Sequence, residues 1–261
     1  SPRGASASPR ARRAPARRGS RIKPTLFLSD LHLSPERPAL VDAFAAFCAG
    51  PAREAEGVYL LGDLFDTWIG DDQLEEPLAA RVALGLRGIA DTGVPVGMIN
   101  GNRDFLLGER FTKAAGATLF AEQTVIGLAG TPTLLMHGDE LCTSDVGYQK
   151  YRAVMRTTKY QRRFLALPYA LRRGVAIFLR GRSRTATAAK PASILDVEQS
   201  AVAAAFRAAN VTRIIHGHTH RPARHRLIVD GRDRERWVLA DWYDRGSYLE
   251  FDAQGGQTRE L

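Results

Sequence analysis

The chain predicts an α/β fold, and three observations carry the prediction. Five apolar runs of strand length, residues 25–29, 58–61, 94–99, 133–136 and 213–215, are rich in Leu, Ile, Val and Phe, as buried strands are. Segments 39–49, 75–91, 105–115 and 194–209 carry apolar residues at three-to-four spacing, so strands alternate with helices. Each strand-like run is followed at once by a short polar motif.

Taken in order, the run 25–29 leads into Asp30-Leu31-His32 and the helical segment 39–49 follows. The run 58–61 leads into Gly62-Asp63, before the helical segment 75–91. The run 94–99 precedes Gly101-Asn102-Arg103-Asp104 and the helical segment 105–115. The run 133–136 leads into His137-Gly138-Asp139 and a basic stretch, and the run 213–215 precedes Gly217-His218-Thr219-His220. Beyond His220 the pattern shifts to short strands at 225–229, 236–240 and 247–252, which predicts mostly antiparallel pairing at the C-terminus. No solenoid-period repeat is present. With 261 residues and 44% hydrophobic content, the chain is long enough for one large core carrying decorations.

Motifs at the ends of strands converge on one rim of a sheet, and these five supply the donors of a two-metal hydrolase centre. Asp30 and His32 lie two apart at a strand end, so their side chains can point the same way and share one ion. Asp63, with two carboxylate oxygens, is the natural bridge, while Asn102, His137, His218 and His220 complete two sets of donors. Imidazole mixed with hard oxygen suits Mn²⁺, Fe²⁺ or Zn²⁺. Singly each motif is weak; their ordered succession is the signal. His216 and His225 are expected to be non-ligands, because the donor sets are filled without them.

The net charge of +9 divides unevenly. Residues 1–21 hold seven Arg and no acid, residues 146–195 hold twelve Lys or Arg and no acid, and the remainder holds 18 basic against 28 acidic residues. An acidic body repels a polyanion broadly, so an anionic partner is expected to meet the basic segments. Residues 1–21, of Ala, Arg, Ser and Pro, cannot bury a core and are expected to form a disordered arm. They lack the apolar region of a secretory signal, although an Arg-rich, acid-free composition also mimics a transit peptide.

In 146–195 the charges are interleaved with Tyr148, Tyr151, Met155, Phe164, Leu171, Ile177 and Phe178, which reads as basic amphipathic helices. Pro168 and Gly174 are expected to break the stretch, and 181–192 to form a polar connector. Such helices suit a membrane interface, or a cap over a ligand apolar at one end and anionic at the other; an ordinary hairpin with solvated Arg fits the composition equally well. Cys48 and Cys142 stand in no metal-binding spacing; both are expected to be buried structural thiols in a reducing compartment, the alternative being a nucleophilic Cys142. No run approaches the roughly 20 apolar residues of a membrane span, so the chain is expected to be soluble or at most peripheral.

The order of these motifs resembles the calcineurin-like metallophosphoesterases. The longer strings, Gly62-Asp63-Leu64-Phe65-Asp66-Thr67-Trp68, Asn100-Gly101-Asn102-Arg103-Asp104-Phe105, His137-Gly138-Asp139-Glu140-Leu141 and His216-Gly217-His218-Thr219-His220-Arg221-Pro222, are similar to those of the UDP-2,3-diacylglucosamine pyrophosphatases of lipid A biosynthesis, over about residues 25–250.

The resemblance implies two mixed sheets sandwiched by helices over 22–261, with 146–195 an inserted helical lid. It implies one ion on Asp30, His32, Asp63 and His220 and a second on Asp63, Asn102, His137 and His218, with Mn²⁺ the expected pair. Substrate contacts would fall on Asn102, Arg103, Asp145, Ser183, Lys190 and His218, and on Thr187, where the family often has Asn. Many relatives in the wider superfamily carry Gly-Asn-His-Glu; here the usual catalytic His is Arg103, as in the pyrophosphatases. The implied reaction is attack of a bridging hydroxide on the α-phosphorus of UDP-2,3-diacylglucosamine, giving UMP and 2,3-diacylglucosamine 1-phosphate. Asn102, Arg103 and Asp63 are the catalytic candidates. Arg103 would hold charge as a phosphate monoester, already stable as an anion, departs. A monomer on the cytoplasmic face of the inner membrane is expected, with no nucleic-acid partner. The alternative is a phosphoesterase of soluble nucleotides or nucleic acid, against which the greasy insertion speaks; a non-enzymatic adaptor is disfavoured because every ligand position is filled.

Overall fold

The computed structural model describes residues 23–188, 194 and 196–261. The expected arm 1–21 and Lys190 lie outside the described residues, as do the side chains of Ser183 and Thr187.

In chain order the elements are β1 (Thr25–Leu28), α1 (Pro38–Ala49), β2 (Gly57–Leu61), α2 (Pro77–Ala90), β3 (Val96–Ile99), α3 (Glu109–Ala115), β4 (Thr118–Leu119), β5 (Gln123–Leu128) and β6 (Thr131–Met136). Then come α4 (Val146–Met155), α5 (Thr158–Leu165), α6 (Tyr169–Ala188), α7 (Gln199–Ala209), β7 (Arg213–His216), β8 (Ala223–Val229), β9 (Arg232–Val238), β10 (Ser247–Asp252) and β11 (Gly255–Glu260). Two mixed sheets result, ordered β11-β10-β1-β2-β3-β4 and β5-β6-β7-β9-β8.

Side-chain alternation along the strands builds the layers. In β1, Phe27 joins Leu61, Ile99, Leu135, Ile215 and Trp237 in the core between the sheets, whereas Leu26 and Leu28 pack with Phe44, Val82 and Phe111 from α1, α2 and α3. On the far side Leu134, Met136 and Ile214 meet Val202 and Phe206 of α7. The order is helices, sheet, sheet, helix.

Parallel pairing of β1 with β2 and β2 with β3, and of β6 with β7, sets their C-terminal ends on common rims. Pairing at the C-terminus is antiparallel for β8 with β9, β1 with β10 and β10 with β11, while β9 runs parallel to β7.

Several boundaries differ from expectation. Pro77 opens α2, where its missing N–H costs nothing, and Asp71–Glu75 forms a separate 3-10 turn. Gly174 does not break the insertion: α6 runs through it to Ala188, taking in part of the expected connector. A single glycine costs a helix only about 1 kcal/mol against alanine, too little to stop one this long. The breaks fall before Thr158, where Thr157 caps α5, and at Pro168.

Arginines of the insertion were expected to face an anionic partner, but several are spent on the acidic body. Arg152 reaches Asp139 at 2.8 Å and Glu122 at 2.5 Å, Arg156 reaches Glu122 at 3.1 Å, Arg172 pairs with Asp72 and Arg180 with Asp66.

Candidate metal centre

Five of the seven candidate ligands, Asp30, His32, Asp63, His218 and His220, have left-handed backbones with φ between 46° and 69°. Each sits where the chain leaves a strand and doubles over the rim, a conformation that costs a non-glycine residue about 1–3 kcal/mol and is characteristic of functional sites. Neighbouring glycines allow the close packing. A side chain at Gly101 would collide with the Asp63 carboxylate, and one at Gly217 with Ser29 and the Asp30 carboxylate.

The donors converge in two clusters. Around Asp30, Nε2 of His220 lies 3.3 Å and Nε2 of His32 3.9 Å from Oδ1, and His32 Nε2 is 3.8 Å from Oδ2 of Asp63. Around Asn102, Nε2 of His137 and Nδ1 of His218 each approach Oδ1 to 3.0 Å, and His137 Nε2 is 3.7 Å from Oδ1 of Asp63. Asp63 therefore faces both clusters, one oxygen to each. His216 turns elsewhere: its Nε2 accepts from Arg236 at 3.0 Å.

The side chains fit cations on three grounds. Both ring nitrogens of His32 are buried without a hydrogen-bond partner. His137 Nδ1 faces the Leu61 carbonyl at 2.8 Å and must donate there, so in the neutral ring the Nε2 lone pair points at the oxygens of Asn102 and Asp63. A cation between them resolves that clash of acceptors. Donor spacings of 3.3–3.9 Å are those subtended by ligands about 2.1 Å from one ion.

Electrostatics agree. Burial alone would raise the Asp30 carboxyl, yet the hydrogen bond from His220 and the neighbouring histidines hold it well below the usual carboxylate range. Burial pushes Asp63 up to about 7 and pushes His32 and His218 down to about 3 and about 4. Burial also opposes charge on His137 and His220, but Asp63 with Asp30, and Asp241 with Asp30, raise them to about 9 and about 10. Protons held on those two rings stand where a divalent cation would compensate the buried carboxylates.

Supporting residues outside the predicted ligands hold the loops. Asp241 lies 3.0 Å from Nδ1 of His220 and orients it. Its only sequence signal is that, like the candidate ligands, it directly follows a short apolar run, Trp237-Val238-Leu239-Ala240. Asp104, buried, accepts from the backbone N–H of Gly101 at 2.8 Å and of Leu64 at 2.7 Å, pinning the loop after β3 to the loop after β2. Arg103 donates its backbone N–H to Asp63 Oδ1 at 2.8 Å, while its guanidinium has no ion-pair partner among the described residues. Asp145, a predicted substrate contact, caps α4 by accepting from Tyr148 N–H at 3.0 Å. The thiols of Cys48 and Cys142 are buried and pushed up to about 12 by burial, which removes the nucleophile reading of Cys142.

Comparison with known proteins follows the same lines. The sequence model of the calcineurin-like phosphoesterases matches residues 23–222. UDP-2,3-diacylglucosamine hydrolases of Escherichia fergusonii, Shigella sonnei and Escherichia coli are each 46% identical over 229 residues, covering 88% of this chain and 95% of theirs. The chain is a metal-dependent hydrolase that belongs to the calcineurin-like phosphoesterase family and, within it, to the UDP-2,3-diacylglucosamine hydrolases.

Proposed function

We propose that the enzyme cleaves the pyrophosphate of UDP-2,3-diacylglucosamine at the α-phosphorus, releasing UMP and 2,3-diacylglucosamine 1-phosphate for lipid A synthesis. The observation that carries the reading is the two-faced Asp63, with one oxygen toward each donor cluster, in a chain 46% identical to hydrolases named for that substrate.

Two divalent cations, Mn²⁺ by preference, would be held by Asp30, His32, Asp63 and His220 and by Asp63, Asn102, His137 and His218; when bound they lower the pKa of a shared water and screen phosphoryl charge. Arg103, held by its backbone against Asp63 with its guanidinium uncommitted, is free to follow the phosphoryl oxygens as charge moves to the departing monophosphate. That group leaves as a stable anion, so no protein acid is needed to protonate it.

The insertion serves the lipid half. Met155, Phe164, Leu167, Val175 and Leu179 are partly buried and supply an apolar surface for acyl chains. On α6, Leu171 and Phe178 are 52% and 64% exposed, a face suited to a lipid surface, with the exposed Arg173 on the same helix. No helix among the described residues is long and apolar enough to cross a membrane, so attachment at the cytoplasmic face would be peripheral.

The test is direct. Purified protein with Mn²⁺ and the diacylated nucleotide sugar in mixed micelles should yield UMP and the lipid monophosphate by mass spectrometry, and reaction in ¹⁸O-water should place the label in UMP. Label in the lipid product would move the attack to the other phosphorus. Equal or faster cleavage of UDP-glucose or DNA would replace the lipid substrate with a soluble one.

A further inference from the structure

A cavity of about 520 Å³ opens beside the first donor cluster, lined among others by His32, Ser34, Arg37, Ile177, Arg180 and Tyr243. Its size lies in the range of about 300–1,000 Å³ usual for small-molecule sites. Of the candidate metal ligands only His32 lines it; Asn102, His137 and His218 do not, nor does the catalytic candidate Arg103. A pyrophosphate lying across both clusters must extend from them in two directions, and this cavity opens on the side of the first.

Its chemistry is unlike that of an acyl channel. The Tyr243 ring, half exposed, is placed by its neighbours: its centroid is 5.8 Å from that of His32 and 5.3 Å from that of His220. The Arg37 guanidinium lies 4.7 Å from the Tyr243 centroid, makes no hydrogen bond or ion pair among the described residues, and has Nη1 buried without an acceptor. Ser34 adds a hydroxyl, and Ile177 one apolar wall. An acyl chain here would bury the uncommitted guanidinium without an acceptor, at a cost. A planar base, a hydroxylated ribose and an anionic phosphate would use the Tyr243 ring, the Ser34 hydroxyl and the Arg37 guanidinium; the lining also carries the carboxylates of Glu36 and of Asp66, the latter paired with Arg180.

We propose that this cleft is the nucleoside monophosphate subsite, with Tyr243 packing against the nucleobase and Arg37 donating to phosphate or ribose oxygens. The assignment rests on the substrate reading above and allots one half of that substrate to named residues. It makes Arg37 and Tyr243 determinants of nucleotide affinity, with the lipid half bound elsewhere.

The experiment measures UMP binding to the Mn²⁺-loaded protein by calorimetry, for the parent, Arg37→Met, Tyr243→Leu and Tyr243→Phe. Metal content and melting temperature identify any variant that is misfolded or unloaded. Inhibition by UMP and by 2,3-diacylglucosamine 1-phosphate is measured alongside. Arg37→Met and Tyr243→Leu should weaken UMP about tenfold or more, the loss of one charge-assisted or stacking contact. Tyr243→Phe should stay near the parent, and inhibition by the lipid product should move less than about twofold. Undisturbed UMP affinity in folded, loaded Arg37→Met overturns the subsite, as does a loss confined to the lipid product or a parent that does not bind UMP. Failure of the parent to turn over the diacylated substrate while UMP binding responds as expected would instead refute the substrate reading and leave the cleft standing.

Discussion

Arg152, on the first helix of the insertion, donates Nε to Oδ2 of Asp139 at 2.8 Å, and Asp139 closes the motif that begins with His137. The Tyr148 hydroxyl donates to the same oxygen at 2.5 Å. One buried carboxylate thus fastens the insertion to the loop that presents a candidate ligand. Breaking such a pair by removing one partner leaves a desolvated charge and costs about 3 kcal/mol or more. Asp139→Ala should lower the unfolding free energy measured by denaturant titration by that order and impair cleavage of the lipid substrate more than cleavage of a small phosphodiester. Equal effects on both substrates would make the contact a matter of folding alone.

Asp63 faces both donor clusters, so its loss should remove the two ions together. Asp63→Ala is expected to abolish turnover and reduce bound metal toward zero by elemental analysis. Retention of most activity would remove the bridging assignment.

Arg103 is expected to behave in the opposite way. Its side chain makes no ion pair among the described residues, so Arg103→Ala should lower kcat by about 100-fold or more, the usual scale for a charge-stabilising donor, while metal content stays at the parent level. Loss of one metal equivalent would place it among the residues that build the centre.

Asp241→Ala should weaken metal binding by about 10–100-fold by freeing the His220 ring, with kcat recovering at high Mn²⁺. A fall in kcat that excess metal does not restore would give Asp241 a part in the reaction itself.

The convergence of the candidate ligands was legible in the sequence because each follows a buried strand, where parallel pairing brings the ends together whatever lies between them. Supporting residues were less so. Asp241 and Asp104 act through backbone amides and a ring nitrogen that only the folded loops bring near, and Arg37 and Tyr243 are far apart in sequence. Strand β5 alternates between exposed and partly buried positions, and β11 is Gly-Gly-Gln-Thr-Arg-Glu, so neither offered an apolar run. The insertion was legible as basic amphipathic helices, but charge counting could not show which arginines the acidic body would claim. Arg152, Arg156, Arg172 and Arg180 turned inward; Arg162, Arg163 and Arg173 remain exposed.

That division sets the last prediction, on membrane attachment. With four of the insertion's twelve basic residues committed internally, the remaining charge alone is a weaker anchor, and binding to a lipid surface should also draw on the exposed apolar side chains of α6. Leu171 and Phe178 lie seven residues apart, two turns along one face, and full burial of such a side chain is worth about 1.5–3 kcal/mol. The double variant Leu171→Ser, Phe178→Ser should therefore partition into anionic vesicles at least about tenfold less than the parent in a flotation assay. The parent should also lose only part of its binding when salt is raised, since screening acts on the cationic share alone. Complete release of the parent by salt, with the double variant binding as well as the parent at low salt, would make the attachment electrostatic and remove the apolar face from it.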